Sequence, residues 1–176
     1  MSTDSPAQVA EKYLTCLAAH DITAALELLS DSFVLEFEGG PSLDKAGLAK
    51  ALGWDTGTEG SLEWQIVSEG PRDVTFEGHE TNQFLSLIGV DPLEFRSRFE
   101  VDDEGRIQKQ VHATDWSGVS IPDALAPAIE WATEHAPAEL EGAYPNGAMV
   151  YSEESGRRWV ALLRRWRSAT SEGRVD

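Results

Sequence analysis

The segment Glu94–Trp116, EFRSRFEVDDEGRIQKQVHATDW, governs the reading of the whole chain. Phe95, Phe99 and Val101 alternate with charged residues, Asp102-Asp103-Glu104-Gly105 is a turn sequence, and Ile107, Val111 and Ala113 resume the alternation beyond it. This pattern predicts a long antiparallel hairpin with one apolar face. Pairing Val101 with Ile107 across the turn sets Ser97 opposite Val111 and Phe95 opposite Ala113. The apolar face then carries one hydroxyl, Ser97, and toward its open end one carboxylate, Asp115. Arg96, Arg98, Glu100, Gln108, Gln110 and His112 fall on the other face, which suits water or a polar interface. Strands of this kind in a strongly curved sheet wrap a pocket.

Working outward, the N-terminal part alternates helical and extended patterns. Val9, Tyr13, Cys16 and Leu17 share helical spacing, with Ser5 ahead of Pro6 as a cap, and Ile22, Leu26 and Leu29 mark a second helix after the His20-Asp21 break. Phe33, Leu35 and Phe37 alternate as a strand with one buried side, and Gly39-Gly40-Pro41 ends it. A short helix is predicted over Ser42–Leu52, with Trp54 in a glycine-rich loop after it, then a strand over Ser61–Glu69. Val74–Ile88 reads as one long strand region interrupted near Gly78, where a bulge sharpens the curvature. The plan is α+β: a curved antiparallel sheet with helices packed against one face.

Composition bounds the function. A chain of 176 residues with 41% hydrophobic residues has single-domain size and enough apolar material for a core. No run of about 18 apolar residues occurs, and MSTDSPAQ lacks the basic and then apolar pattern of an export signal, so a cytoplasmic protein without membrane insertion is expected. Cys16 is the single cysteine, and the four histidines show no ligand spacing, so neither a metal nor another cofactor is expected. The formal charge of −17 is uneven: 8 Lys and Arg face 27 acids up to Val150, whereas 6 arginines accompany 4 acids from Tyr151 onward. An acidic body repels phosphate backbones, which makes nucleic acid a poor partner.

Two stretches carry a resemblance to a known family. Lys12–Gly40, KYLTCLAAHDITAALELLSDSFVLEFEGG, resembles the opening of the nuclear transport factor 2-like superfamily, and FEVDDEGRIQ followed by DWSGVSI resembles its last hairpin. Ketosteroid isomerases and SnoaL-like polyketide cyclases belong to that superfamily, and the resemblance spans roughly Ala7–Val119. It implies a cone-shaped, cystatin-like roll: a curved sheet wrapped around N-terminal helices, its mouth leading to an apolar cavity. Residues 1–119 would form that domain and 120–176 a C-terminal helical extension.

The resemblance also implies chemistry. Tyr13 falls on the tyrosine with which ketosteroid isomerases stabilise an oxyanion, whereas Phe37 stands at their base position and Ser97 at their donor acid. Asp115 is similar to the last-strand acid that SnoaL-like cyclases use as general base, and a carboxylate on an apolar face has its pKa raised by desolvation. Asp115 equally suits a strand end reaching solvent, and Tyr13 a helix core position. The expected catalytic set is Asp115 as base with Tyr13 and Ser97 polarising an oxygen. The expected pocket wall is Phe33, Leu35, Phe37, Trp54, Trp64, Phe95, Phe99, Val111 and Ala113, with Trp116 as a further aromatic, although such tryptophans equally serve as core.

Beyond Val119, Pro122–His135 predicts a helix, Ala136–Gly147 a loop, and Ser155–Ser168 an amphipathic helix with a Trp159, Leu162, Leu163, Trp166 stripe and an arginine-rich face. That helix packs on the acidic body in cis or across a dimer, or meets a partner; either way it is placed as a lid, similar to the C-terminal segments of scytalone dehydratase. The function read from the sequence is a cofactor-free proton-transfer enzyme, an isomerase, cyclase or dehydratase, on a small apolar carbonyl or polyketide-like compound, with a homodimer expected. The alternative is a non-catalytic ligand-binding or assembly module of the same fold.

Overall fold

The computed structural model describes residues 4–90, 92–115 and 120–172. Helices α1 (Pro6–Ala18) and α2 (Ile22–Glu27) open the chain, followed by strands β1 (Leu29–Phe37) and β2 (Ser42–Asp44) and helix α3 (Lys45–Gly57). Strands β3 (Ser61–Glu69) and β4 (Asp73–Thr81), helix α4 (Gln83–Ile88) and the hairpin β5 (Leu93–Val101) and β6 (Ile107–Asp115) complete the first part. Helices α5 (Ile121–His135), α6 (Pro137–Ala143) and α7 (Glu153–Glu172) follow, with a 3-10 turn at Pro145–Gly147. The six strands form one curved sheet in the order β2-β1-β6-β5-β4-β3. The fold is the expected α+β roll, its pairs antiparallel except for β1 and β6, which run parallel.

Local side-chain chemistry explains where elements begin. The Ser5 hydroxyl and the Gln8 side chain form a reciprocal capping box on α1, and Asp21, Asp44 and Asn82 each accept a backbone N–H at the start of α2, α3 and α4. The last of these corrects the strand expected through Ile88. Asn82 Oδ1 accepts from Leu85 N at 2.8 Å, ending β4 at Thr81 and turning Gln83–Ile88 into a helix. Ser42–Asp44 pairs with β1, so the helix starts at Lys45 behind the Asp44 cap and continues to Gly57, which places Trp54 inside α3 and not in a loop. The expected loop over 136–147 is α6 and the 3-10 turn.

The hairpin forms as predicted at its turn and then departs by one residue. Val101 pairs with Ile107, but Glu100 pairs with Lys109, Phe99 with Gln110, Ser97 with His112 and Phe95 with Thr114. Gln108 is the additional residue of a bulge, and because side chains alternate with period two, one inserted residue exchanges the faces of everything beyond it. Val111 and Ala113 therefore leave the concave face and Gln110, His112 and Thr114 take it. The bulge expected near Gly78 is absent: β4 pairs regularly through that residue, and the irregularity lies between Ile66 and Ser68. Gly78 is required for space, since a Cβ there would collide with the Glu63 carbonyl oxygen and press on the Phe95 ring.

Two apolar cores result. One lies between the sheet and helices α1 to α3, around Val9, Tyr13, Leu14, Phe33, Leu48, Phe76 and Phe99. The other lies among α3 to α7, around Trp54, Phe84, Leu85, Leu125, Trp159, Leu163 and Trp166. Trp159 is completely buried, and truncation of such a side chain costs about 3–5 kcal/mol. The arginines on the opposite face of α7 are exposed and paired within the chain: Arg157 and Arg158 with Glu153 and Glu154, Arg165 with Glu139, and Arg167 with the Leu87 carbonyl at 2.7 Å. Exposed pairs contribute about 0–1 kcal/mol each, so the Trp and Leu stripe fastens this helix.

The fastening is close because the N-terminus of α7 crosses α3 at glycines. A Cβ on Gly57 would collide with the Glu153 carbonyl oxygen, whereas one on Gly142 in α6 would meet only the mobile end of Arg158. Gly57→Ala is therefore expected to cost about 2 kcal/mol and lower the midpoint of thermal unfolding by about 4–8 °C. Gly142→Ala should leave the midpoint level or raise it slightly, because alanine favours the helix. Thermal denaturation followed by circular dichroism compares the two.

Candidate active site

Between the concave sheet and helices α1 and α3 lies a cavity of about 700 Å³, within the range of pockets that enclose small organic ligands. Leu35, Phe37, Leu48, Leu52, Leu62, Phe76, Phe95 and Phe99 give it an apolar wall. Ile121, Met149 and Tyr151 of the C-terminal extension also reach it, and the Tyr151 ring meets Trp54 at 5.4 Å. The rest of the extension packs on the outer side of α3 and α4, so these three residues, and not the amphipathic helix, border the cavity.

Polar groups enter this wall from two sets of elements. On β5 and β6, Ser97 Oγ lies 2.7 Å from His112 Nδ1 and accepts a hydrogen bond from Gln110 Nε2 at 3.3 Å. The imidazole is stacked on Phe95 at 5.5 Å and meets Phe37 edge-on at 5.7 Å. Burial among these groups disfavours the cation and lowers the His112 pKa below its usual 6.5, which keeps the ring neutral at physiological pH.

The second set comes from α1, α3 and β4. Asp55 follows Trp54 on α3, and its carboxyl pKa is raised well above the ordinary carboxylate range, first by burial and then by repulsion from Glu80. It borders the cavity and is otherwise surrounded by protein. Glu80 is in turn held by Asn82, whose Nδ2 donates to Glu80 Oε1 at 2.8 Å. Tyr13 is 1% exposed, with its ring edge-on to Phe99 at 5.4 Å. Burial and the nearby Asp55 both push its phenol pKa upward, so Tyr13 stays protonated as a hydrogen-bond donor. No lysine or arginine among the described residues lines the cavity. Among the described residues no three His, Cys, Asp or Glu side chains gather as a metal site, and no helix is long and apolar enough to cross a membrane.

Of the residues expected from the sequence, Tyr13, Ser97, Leu35, Phe37, Trp54, Phe95 and Phe99 border the cavity together. Phe33 and Trp64 pack in the first core and not along the wall. Val111 and Ala113 are displaced from the wall by the bulge, which brings in His112 and Gln110 from what the sequence pattern assigned to the charged face. The Asp115 backbone pairs with Glu94, while its side chain and Trp116 lie outside the described residues. Asp55 and Glu80 were not anticipated; the helical continuation that brings Asp55 inward was hidden by the glycines around it.

Neither a protein-family sequence model nor a curated protein sequence matches this chain. Solved structures do. SalBIII, an epoxide hydrolase/cyclase-like enzyme with a role in pyran ring formation in the polyether salinomycin, aligns with a TM-score of 0.56 at 12% identity over 64% of this chain and 92% of its own. A candidate ketosteroid isomerase from Kribbella flavida aligns at 0.54 and 16% identity over 68% and 86%, and an NTF2-like protein of unknown function from Cytophaga hutchinsonii at 0.52 and 13% over 65% and 95%. The fold is shared with these structures and with that of a candidate polyketide cyclase from Xanthomonas campestris, at 0.52 and 16% identity over 62% and 90%. About a third of this chain lies beyond each match.

The Asp55 environment has a measurable consequence for stability. Its raised pKa means that the folded chain binds a proton that the unfolded chain releases near pH 4, so the associated stability is present at low pH and is lost as pH rises through the folded pKa. Asp55→Asn mimics the protonated carboxyl and cannot ionise. Relative to the parent protein, the variant should be of similar stability near pH 4 and more stable at pH 7–8, as read from thermal unfolding across that range. A variant uniformly less stable at every pH would contradict this account of the carboxyl.

Proposed function

We propose that this protein is a proton-transfer enzyme acting on a small, neutral, mostly apolar carbonyl compound, as an isomerase, cyclase or dehydratase. The observation that carries the reading is the gathering, in one apolar cavity, of a carboxyl with a raised pKa and two neutral donors, His112 and Tyr13. Raising the carboxyl pKa moves it toward neutral pH, where proton transfer in either direction is most efficient, and lowering the imidazole pKa keeps His112 an uncharged donor. The ionised member of the Asp55–Glu80 pair removes a proton from the carbon next to the carbonyl. The electron pair moves onto the carbonyl oxygen, where a hydrogen bond from His112 or Tyr13 stabilises the developing charge. Returning the proton at a different carbon isomerises the compound; loss of a β-hydroxyl as water dehydrates it; attack of the enolate on a second carbonyl closes a ring.

The lining also limits the substrate. With carboxyl groups and, among the described residues, neither lysine nor arginine in the wall, a carboxylate or phosphate inside the cavity would be repelled without compensation. The apolar wall suits a ring system or short alkyl chain.

The simplest test is exchange of the α-protons of 2-tetralone in deuterated buffer, followed by NMR. Saturable acceleration by the protein is expected, with rates lowered by about 10²–10⁴ in Asp55→Asn and by at least about 10² in His112→Ala. Exchange no faster than in buffer of the same composition, or exchange unaffected by Asp55→Asn, would remove the basis for this reaction class.

A further inference from the structure

We propose that Gln110 is a positioning residue that sets the tautomer of His112 through Ser97. This deepens the proton-transfer reading of the same cavity, on which its catalytic meaning rests, while the hydrogen-bond relay itself stands independently of any turnover.

Ser97 has one hydroxyl proton and two polar neighbours, and at 1% exposure it has no solvent to satisfy it instead. Gln110 Nε2, 3.3 Å away, has only protons to give, so the Ser97 oxygen accepts there. The Ser97 proton then has His112 Nδ1 at 2.7 Å as its acceptor. A nitrogen that accepts carries no proton, and in a neutral imidazole the proton consequently resides on Nε2. The ring is held between Phe95 and Phe37, so it cannot exchange its nitrogens by turning over without losing both contacts. The result is an Nε2–H that acts as a donor, as stabilisation of an oxygen requires, and not a bare Nε2 that acts as a base.

The arrangement has one competitor. Turning the Gln110 amide by half a revolution would bring Oε1 to Ser97, where it would take the hydroxyl proton. The Ser97 oxygen would then accept Nδ1–H, and Nε2 would be left with a lone pair. In the observed orientation Gln110 Oε1 is buried without a partner among the described residues, and Gln110 as a whole is only 9% exposed. The reversed orientation would instead bury an unshared NH2 group. An unpartnered buried group costs about 1–3 kcal/mol in either case. The two states are therefore separated by a difference of similar costs, and a side chain able only to accept at position 110 tips the relay to the other tautomer.

The test is the tautomer itself, read from the 15N signals of His112 in histidine-labelled protein at a pH where the ring is neutral. In the parent protein a pyrrole-like Nε2 and a pyridine-like Nδ1 are expected, and in Gln110→Glu, whose carboxylate only accepts, the two signals exchange character. A proton on Nδ1 in the parent protein, or the same tautomer in both proteins, overturns the proposal. Where Gln110→Glu does not fold, Gln110→Met retains the bulk without a donor and should show an added Nδ1–H population; a tautomer identical to the parent's there also overturns it. Exchange of 2-tetralone protons by Gln110→Glu should fall by about tenfold or more in kcat with KM little changed. A swapped tautomer with unaltered turnover would support the relay and count against the role given to His112 in catalysis.

Discussion

The inserted residue at Gln108 in the β5–β6 ladder is the constraint from which the character of the cavity follows. A regular ladder would line the concave face with Val111 and Ala113 and leave a greasy pocket with one serine. One additional residue exchanges them for Gln110, His112 and Thr114 and sets Ser97 directly across from His112. The energetic requirement then changes: polar side chains in a hydrocarbon wall need partners, and Gln110, Ser97 and His112 supply them to one another, all but the Gln110 Oε1 acceptor. They do so in sequence, amide to hydroxyl to imidazole, with the aromatic rings of Phe37 and Phe95 fixing the last member.

The opposite polar group depends on a different constraint, the close crossing of α3 and α7. Leu48 and Leu52 of α3 belong to the first core and Trp54 to the second, so the helix is gripped from both sides, and Asp55 follows directly on Trp54. The contact is possible because Gly57 and Gly156 leave the two backbones room to approach. The C-terminal extension thus bears on the cavity chiefly through the helix that carries Asp55, while Ile121, Met149 and Tyr151 complete the wall. Among the described residues, Arg157, Arg158, Arg164, Arg165 and Arg167 are engaged with carboxylates and carbonyls of their own chain.

Much of this was legible in the sequence because period-two and period-3.6 patterns report burial directly. The hairpin, β1, β3 and α7 were read from alternation and stripes alone, and the KYLTCLAAHDITAALELLSDSF stretch indicated the roll. What escaped the sequence has identifiable causes. A bulge leaves no signature when the inserted residue, Gln108, is as polar as its neighbours. Asn82 looks like a strand residue in a β-rich context until its side chain is seen to cap α4. Glycines at 53 and 57 suggest a loop, yet they persist inside α3 because a packing partner needs the space. Asp55 was hidden for the same reason, and His112 because the pattern assigned it to the wrong face.

The division of α3 between two cores bears on how the molecule opens. A segment anchored on both sides exchanges its amide hydrogens only when the fold gives way as a whole. The carboxyl that α3 carries therefore sits in one of the most slowly exchanging parts of the chain, whereas the edge strand β2, three residues long and paired on one side, can fray alone. Access to the interior is then expected through the rim formed by Met149 and Tyr151, which lie between the 3-10 turn and α7 outside any helix or strand, while Asp55 rests on a scaffold that opens only with the whole fold.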